Sequence, residues 1–352
     1  MPVLNTIIKQ DLENITNHSI NWEQFNGKTV LISGANGFLP AYMVETLLYL
    51  NNKFKNFKVT VIALVRNKTK AQERFLDYVD NDNLIFLEQD VSTPVNYEGD
   101  IDFIIHAASQ ASPKYFGIDP VGTLNANVLG TINLMNLARE KKITSFLYFS
   151  SGEVYGDVLL EKIPTKETDY GYIDPTLVRS CYAESKRMGE NICISYFHQY
   201  EISTKIVRPF HTYGPKMQLG DGRVFADFVK DILGSQNIIM KSDGSAKRAF
   251  CYLSDAVIGY FIVLLKGNSA QAYNIGNPKE EYSILELANI LKELYKWKGI
   301  NVVEYKPDTN PQGYLASKVN RSSPDIGKML ALGWNPVISI KEGFERTIKS
   351  FE

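Results

Sequence analysis

The segment Lys28-Thr-Val-Leu-Ile-Ser-Gly34 is a short apolar run that breaks at once into Gly34-Ala-Asn-Gly37 and then into a helical pattern over Ala41–Leu50. A second apolar run, Lys58–Arg66, follows and ends in charge. This β-α-β punctuation constrains the fold more than any other feature, because parallel strands need a crossover, usually a helix, to join them. The beat continues with apolar runs over Asn83–Asp90, Ile101–Ser109, Ser145–Gly156 and Ser203–Phe210, and with helices over Gly122–Lys141 and Cys181–Tyr200. Near-continuous apolar strands alternating with helices predict an α/β fold whose parallel sheet is covered on both faces.

After about Pro209 the regularity gives way to loops rich in Gly, Pro and Asp, with helical patterns near Val224–Leu233, Asp255–Leu265, Ile284–Lys296 and Ile340–Lys349. Such segments build a smaller C-terminal lobe. No internal repeat, low-complexity tract or Pro/Ser linker sets it apart, so the two lobes are expected to share a cleft. Ahead of the first strand, Leu4, Ile7, Ile8 and Leu12 recur at helical spacing and predict an amphipathic helix, packed beside the first strand or against a partner subunit.

Charge and composition remove several classes of function. With 38 Lys+Arg against 39 Asp+Glu, the chain has no global positive field for nucleic acid or an anionic membrane, so any anion must be held locally. Three cysteines (Cys181, Cys193, Cys251) without CxxC spacing argue against a disulfide framework or a thiolate zinc site and fit a reducing compartment. His18, His106, His198 and His211 form no close-spaced ligand pair, so no metal is expected. No stretch approaches the roughly 18–20 apolar residues of a membrane span, and the first residues carry acids where a signal peptide is basic and then apolar. A cytoplasmic protein is expected.

Gly34-Ala-Asn36-Gly37-Phe38-Leu39-Pro40 ends the first strand and opens a helix. A glycine-rich turn there lets backbone N–H groups and the positive helix end approach a pyrophosphate; its bland alternative is a merely tight turn. Gly34, Asn36, Gly37, Phe38 and Leu39 are the candidate contacts. Pro40 stands where a third glycine would ease helix–strand packing, and proline is tolerated in a helix's first turn. Where an acid normally bonds the adenosine ribose, at the end of the second strand, Arg66 and Asn67 stand beside Lys68. Arg66 suits a 2′-phosphate and Asn67 a bare ribose, so NAD is expected with NADP open. Asp90 and Val91 are placed to contact the adenine, and Ala107 and Ala108 join the candidate cofactor set.

Tyr182-Ala-Glu-Ser-Lys186 puts a phenol and an ammonium four residues apart on one helical face, where the cation is expected to lower the phenol pKa towards working pH. Such a pair can serve as a base for an alcohol and as a contact to the cofactor. Alone it would be read as a solvated pair. Ser150-Ser151-Gly152-Glu153-Val154-Tyr155-Gly156, however, ends an earlier strand at the carboxyl edge where ligands of open α/β sheets collect, which brings Ser151 and Glu153 to the same cleft.

From about Lys28 to the end the chain resembles the extended short-chain dehydrogenase/reductase (NAD-dependent epimerase/dehydratase) family, and within it the nucleotide-sugar decarboxylases acting on UDP-glucuronate. The resemblance rests on GANGF (34–38), HAASQASPKYF (106–116), SSGEVYGD (150–157), RSCYAESKR (179–187), RPFHTYGPKM (208–217), GDGRVFADF (220–228), KRAFCYLSD (247–255), YNIGNP (273–278) and RSSPDI with LGW (321–334). It implies an N-terminal helical extension over 1–27 and a doubly wound Rossmann domain over 28–207, rejoined by about 245–276. Residues 208–244 and 277–352 then form a substrate-binding lobe, and the assembly is a homodimer.

The resemblance further implies that Tyr182, assisted by Lys186 and Ser151, takes the proton of the sugar C4 hydroxyl while hydride leaves to NAD, giving a 4-keto sugar. A hexuronate can then lose CO₂, with Glu153 handling the C5 proton. The runner-up, a nucleotide-hexose 4,6-dehydratase, would use Glu153 on the C5 proton and an acid on O6. Where glucose dehydratases of the family place Asp and the decarboxylases Ser, this chain has Gly152. Retention of Glu153 argues against simple 4-epimerisation, and the complete catalytic set argues against a non-catalytic dinucleotide sensor. Arg223, Arg248 and Arg321 fall on positions that approach the diphosphate or the sugar carboxylate, Arg179 and Tyr314 on the sugar pocket. His211 stands where asparagine is expected, and reads equally as a substrate contact or a packed core residue.

Overall fold

The structure, a computed structural model, describes residues 5–304 and 319–352. The apolar runs become β1 (Thr29–Ser33), β2 (Thr60–Val65), β3 (Leu84–Glu88), β4 (Phe103–His106), β5 (Ser145–Phe149) and β6 (Thr204–Pro209). Among them run α1 (Thr6–Asn17), α2 (Phe38–Lys53), α3 (Lys68–Arg74), α4 (Pro113–Ile118), α5 (Pro120–Asn127), α6 (Leu129–Lys141) and α7 (Ser180–Tyr200). The remainder adds β7 (His211–Tyr213), α8 (Val224–Leu233), β8 (Ile238–Ile239), β9 (Lys247–Tyr252), α9 (Leu253–Lys266), β10 (Gln271–Ile275) and β11 (Glu281–Ser283). It closes with α10 (Ile284–Leu294), β12 (Val302–Val303), β13 (Arg321–Ser322), α11 (Gly327–Ala331) and α12 (Ile340–Lys349).

Seven strands pair in parallel in the order β10-β6-β5-β4-β1-β2-β3. The central strands are buried on both faces because each face carries its own helical layer. Ile8 and Leu12 of α1, Leu47 of α2 and Phe261 of α9 pack on one, and Leu134 of α6 with Ile192 and Cys193 of α7 on the other. This is the doubly wound arrangement expected from the sequence. Its order reverses between β1 and β4, and ligands of such sheets bind in the crevice beyond the strand ends at that point.

A smaller sheet, β11-β9-β13 with β7 on β9, packs with α8, α10 and α12 around Phe225, Phe228, Phe250, Leu287 and Phe344. The chain enters it through the turn at Phe210, between β6 and β7, and returns to the large sheet through α9 and β10. The cleft between the sheets is therefore bounded by consecutive segments of one chain.

Two elements differ from the expectation. The helix predicted over Gly122–Lys141 is two helices that meet at Val128. The Thr131 hydroxyl donates to the Asn127 carbonyl at 2.5 Å, the backbonding that bends helices, while the Asn127 amide is drawn to the Ser185 hydroxyl of α7 at 2.9 Å. The amphipathic α1 packs against α2 and α9, where the sequence reading offered the first strand or a partner subunit; Leu4 lies outside the described residues. The deciding residue is a buried acid: Asp11 accepts from Arg346 of α12 at 2.6 Å and from the hydroxyls of Tyr252 and Tyr42 at 2.8 and 3.2 Å. Among the described residues no helix is long and apolar enough to cross a membrane.

Candidate active site

The turn after β1 is built to bring backbone close to backbone. Gly34 sits at φ +64°, and a Cβ there would lie 2.7 Å from the Ala108 Cα, so no side chain fits between the ends of β1 and β4. The Ser33 hydroxyl accepts from the N–H groups of Ala107 and Ala108 at 3.2 Å each and lies 2.7 Å from Nδ1 of His106, which fixes the two strand ends together. Gly37 caps α2, whose first-turn N–H groups have no partner within the helix. Gly34, Asn36, Gly37, Phe38 and Leu39 are all partly exposed among buried neighbours, as residues lining a crevice would be. Helix end, bare glycine turn and close strand ends together fit a dinucleotide pyrophosphate.

Arg66 follows β2 directly and is exposed. Asn67 caps α3, its side chain accepting from Lys70 N–H at 2.8 Å, and Glu88 of β3 accepts from Lys68 N–H at 2.9 Å. Asp90 is exposed and closes a turn on Ser92 N–H at 2.8 Å, while Val91 beside it is buried.

On the other side of the switch point, β5 ends at Phe149 and Ser151 caps a short 3₁₀ turn over Gly152–Tyr155, its Oγ accepting from Glu153 N–H at 3.2 Å. Tyr182 and Lys186 project from α7 onto this turn. The Tyr182 phenol faces Ser151, and Lys186 Nζ donates to the Phe149 carbonyl at 2.6 Å, 5.8 Å from the Tyr182 ring centre. Ser151, Tyr182 and Lys186 are thus brought together. The expected lowering of the phenol pKa is not found. Burial pushes Tyr182 up to about 12, against the smaller opposing effect of the nearby Ser151 hydroxyl, and burial pulls Lys186 down to about 7. The reason is distance and desolvation: the ammonium is spent on a backbone carbonyl, and a buried cation is itself costly.

Glu153 points to the same cleft and pairs with Arg179 at 3.3 Å. Arg223 and His211 also reach it. Arg223 donates from Nε to Asp221 at 2.7 Å and lies over the rings of Phe38 and Phe225, so it spans from α8 of the smaller lobe to α2. His211 packs beside Phe250, and burial together with the Arg248 and Arg223 charges holds its imidazole well below its usual pKa, so it is neutral. Arg248 bonds the backbone carbonyls of Lys247 and Val319 at 2.8 Å each, and Arg321 is held in a fork by Glu281 at 2.5 and 3.0 Å. Those two arginines are therefore committed to the small sheet and its neighbouring strand. Tyr314 lies outside the described residues.

Three features of the cleft escaped the sequence reading. Phe116 of α4 stacks on Tyr182, with centroids 5.0 Å apart and planes at 19°. The Ser112 hydroxyl ahead of α4 donates to the Asp221 carbonyl, joining the loop before α4 to the loop that carries Arg223. Gly152 faces the Phe210 ring, which would lie 3.3 Å from a Cβ. The residues lie within the quoted motifs, but the motifs do not show which of them meet, since each contact pairs segments distant in sequence.

Residues 30–276 match the NAD dependent epimerase/dehydratase family, well over half of the chain. The chain belongs to that family. Within it, the chain is 36% identical over 316 residues to UDP-glucuronic acid decarboxylase 3 of Arabidopsis thaliana, covering 89% of this chain and 86% of that protein. UDP-glucuronic acid decarboxylase 1 of Xenopus tropicalis is 33% identical, with 92% and 72% covered. Among solved structures, UDP-glucose 4-epimerase from Thermotoga maritima superposes with a TM-score of 0.77 at 23% identity, covering 92% of this chain and 98% of that one. A dTDP-glucose 4,6-dehydratase from Bacillus anthracis, solved with NAD, gives 0.74 at 20%, with 92% and 96% covered. At those identities the solved structures share the fold of this family member. The extended family named from the sequence motifs is thus the family to which the chain belongs.

Proposed function

We propose that this enzyme decarboxylates UDP-glucuronate or a closely similar nucleotide hexuronate through a 4-keto intermediate, with NAD as cofactor. The observation that carries the reading is the likeness to UDP-glucuronic acid decarboxylases over nine-tenths of the chain, together with Ser151, Tyr182 and Lys186 meeting at the crevice. A nicotinamide dinucleotide supplies a hydride acceptor and returns the hydride. Gly34, Gly37, Phe38, Leu39, Ala107 and Ala108 would hold it, with Tyr182 and Lys186 as further contacts.

Tyr182 takes the C4 hydroxyl proton and the Ser151 hydroxyl orients the same oxygen, while Lys186, held on the Phe149 carbonyl, braces the strand end against α7. With C4 a ketone, the C5 carboxylate is β to a carbonyl; the C5–C6 bond breaks, CO₂ leaves, and the electron pair passes through the enolate to C4 oxygen. Ser151 and Tyr182 stabilise that oxyanion by hydrogen bonding. Glu153, paired with Arg179, would relay a proton from solvent to C5, and a bound dinucleotide would supply the hydride that completes the pentose. Arg223 and neutral His211 serve the diphosphate and sugar, with Arg248 and Arg321 shaping the far wall.

In the same reading Arg66 meets the adenosine end; charge removal there distinguishes NAD from NADP use. The protein works as a cytoplasmic homodimer. Exposed Ile118, Val121 and Leu124 on α4 and α5, with Met188 on the adjoining α7, support self-association. Incubation of purified enzyme with UDP-glucuronate and NAD, followed by mass spectrometry, tests the reaction: loss of CO₂ is the expected result. Loss of water from a nucleotide hexose, with UDP-glucuronate unchanged, overturns it.

A further inference from the structure

Behind the proposed catalytic turn lies a buried guanidinium that the reaction does not touch. Arg208 of β6 is 1% exposed. It donates from Nε and Nη2 to the two oxygens of Glu190 at 2.8 and 2.6 Å. Nη1 donates to the Tyr155 hydroxyl and the Glu167 carbonyl, both at 2.9 Å, and Nη2 also to the Tyr170 hydroxyl at 2.7 Å. Every nitrogen of the fork is used, an arrangement lysine cannot reproduce.

Its partners bracket the catalytic residues. Glu190 accepts from the Ser150 hydroxyl at 2.5 Å, one residue before Ser151, and Tyr155 lies two residues after Glu153. Tyr155 in turn donates to Asn274 of β10 at 2.5 Å. Glu190 also stands one helical turn beyond Lys186 on α7, and its charge counteracts the desolvation of that ammonium. A single side chain thus ties both ends of the Ser151–Glu153 turn and the helix bearing Tyr182 and Lys186 to the sheet.

We infer that Arg208 is a positioning residue for catalysis, setting Ser151 and Glu153 against Tyr182 and Lys186 through Glu190 and Tyr155. The inference rests on the proposed active site but not on which nucleotide sugar it converts. Fork geometry carries it: displacing a reacting group by about 1 Å costs on the order of 100-fold in rate.

The test compares wild-type enzyme with Arg208→Lys and Tyr155→Phe, each rate divided by the content of dinucleotide-binding sites so that misfolded protein does not count. The expected result is a fall in kcat of at least about tenfold for Arg208→Lys and about threefold or more for Tyr155→Phe, with KM within about threefold of wild type. A purely structural role would lower melting temperature and site content and leave per-site kcat unchanged; that outcome, in either variant that folds, overturns the inference. If wild-type enzyme leaves UDP-glucuronate unchanged, the function proposed above fails, and the same variants are compared on whichever nucleotide sugar it does convert, with the product followed by mass spectrometry and NMR.

Discussion

Phe116 covers one face of Tyr182, their rings nearly parallel at a 5.0 Å centroid distance. Burial is the chief reason the phenol stands at about 12, so the aromatic lid and the ionisation of the base are linked. Replacing Phe116 with Ala admits water to that face and moves the phenol down towards its ordinary value near 10. The rising limb of the kcat/KM profile is expected to shift to lower pH, read from rates across about pH 6 to 10. An unshifted limb would show that Phe116 does not set the phenol's environment.

Tyr182→Phe keeps the ring that packs on Phe116 and removes only the hydroxyl that faces Ser151. Turnover is expected to fall by about 10²–10⁴-fold, the usual contribution of a positioned acid–base group. Dinucleotide affinity, followed by fluorescence quenching, should stay within about threefold. Retained turnover would remove Tyr182 from the mechanism.

At Gly34 an alanine meets two obstacles at once, a φ of +64° and the Ala108 backbone at 2.7 Å. The strained conformation alone costs about 1–3 kcal/mol. Gly34→Ala is expected to weaken dinucleotide binding by more than tenfold and to lower the melting temperature, both measurable in one thermal-shift titration with NAD. Normal NAD affinity would place the dinucleotide elsewhere.

Asp255, at the start of α9, accepts from the N–H groups of Val337 and Ile338 at 2.9 Å each, yet burial outweighs these bonds and pushes it up to about 6. Its folded value lies above the unfolded one, so the folded state holds the proton more tightly. The contribution to stability is full below about pH 4 and is lost as pH rises through about 6. Denaturant unfolding of wild type and Asp255→Asn should therefore show the wild type losing ground to the variant between pH 4 and 6, then running parallel. A constant difference across that range would contradict the shift.

The large sheet was legible because each strand is a nearly unbroken apolar run between turn signals, a pattern that only a sheet covered on both faces requires. Gly34 and Gly37 were legible for a similar reason: a strand end, a glycine turn and a helix start stand in immediate succession. The break at Val128 was not, since it depends on Thr131 bonding back to Asn127 and on Ser185, 58 residues away, taking the Asn127 amide. The direction of the Tyr182 shift was missed because helical spacing places a cation nearby but says nothing about what else that cation bonds. Arg208 carried a signal that went unused. A charge inside an apolar strand must find a buried partner, and Glu190 on the preceding helix is that partner.

The Asp11–Arg346 pair joins side chains 335 positions apart. A chain emerging from the ribosome amino end first lays down α1 well before α12, which carries the guanidinium that pairs with its buried acid. Until then Asp11 has only tyrosine hydroxyls to lean on, and the apolar side of α1 has a weakened hold on its seat. This long-range clasp therefore cannot close before α12 has been made, and it contributes a contact of very large sequence separation.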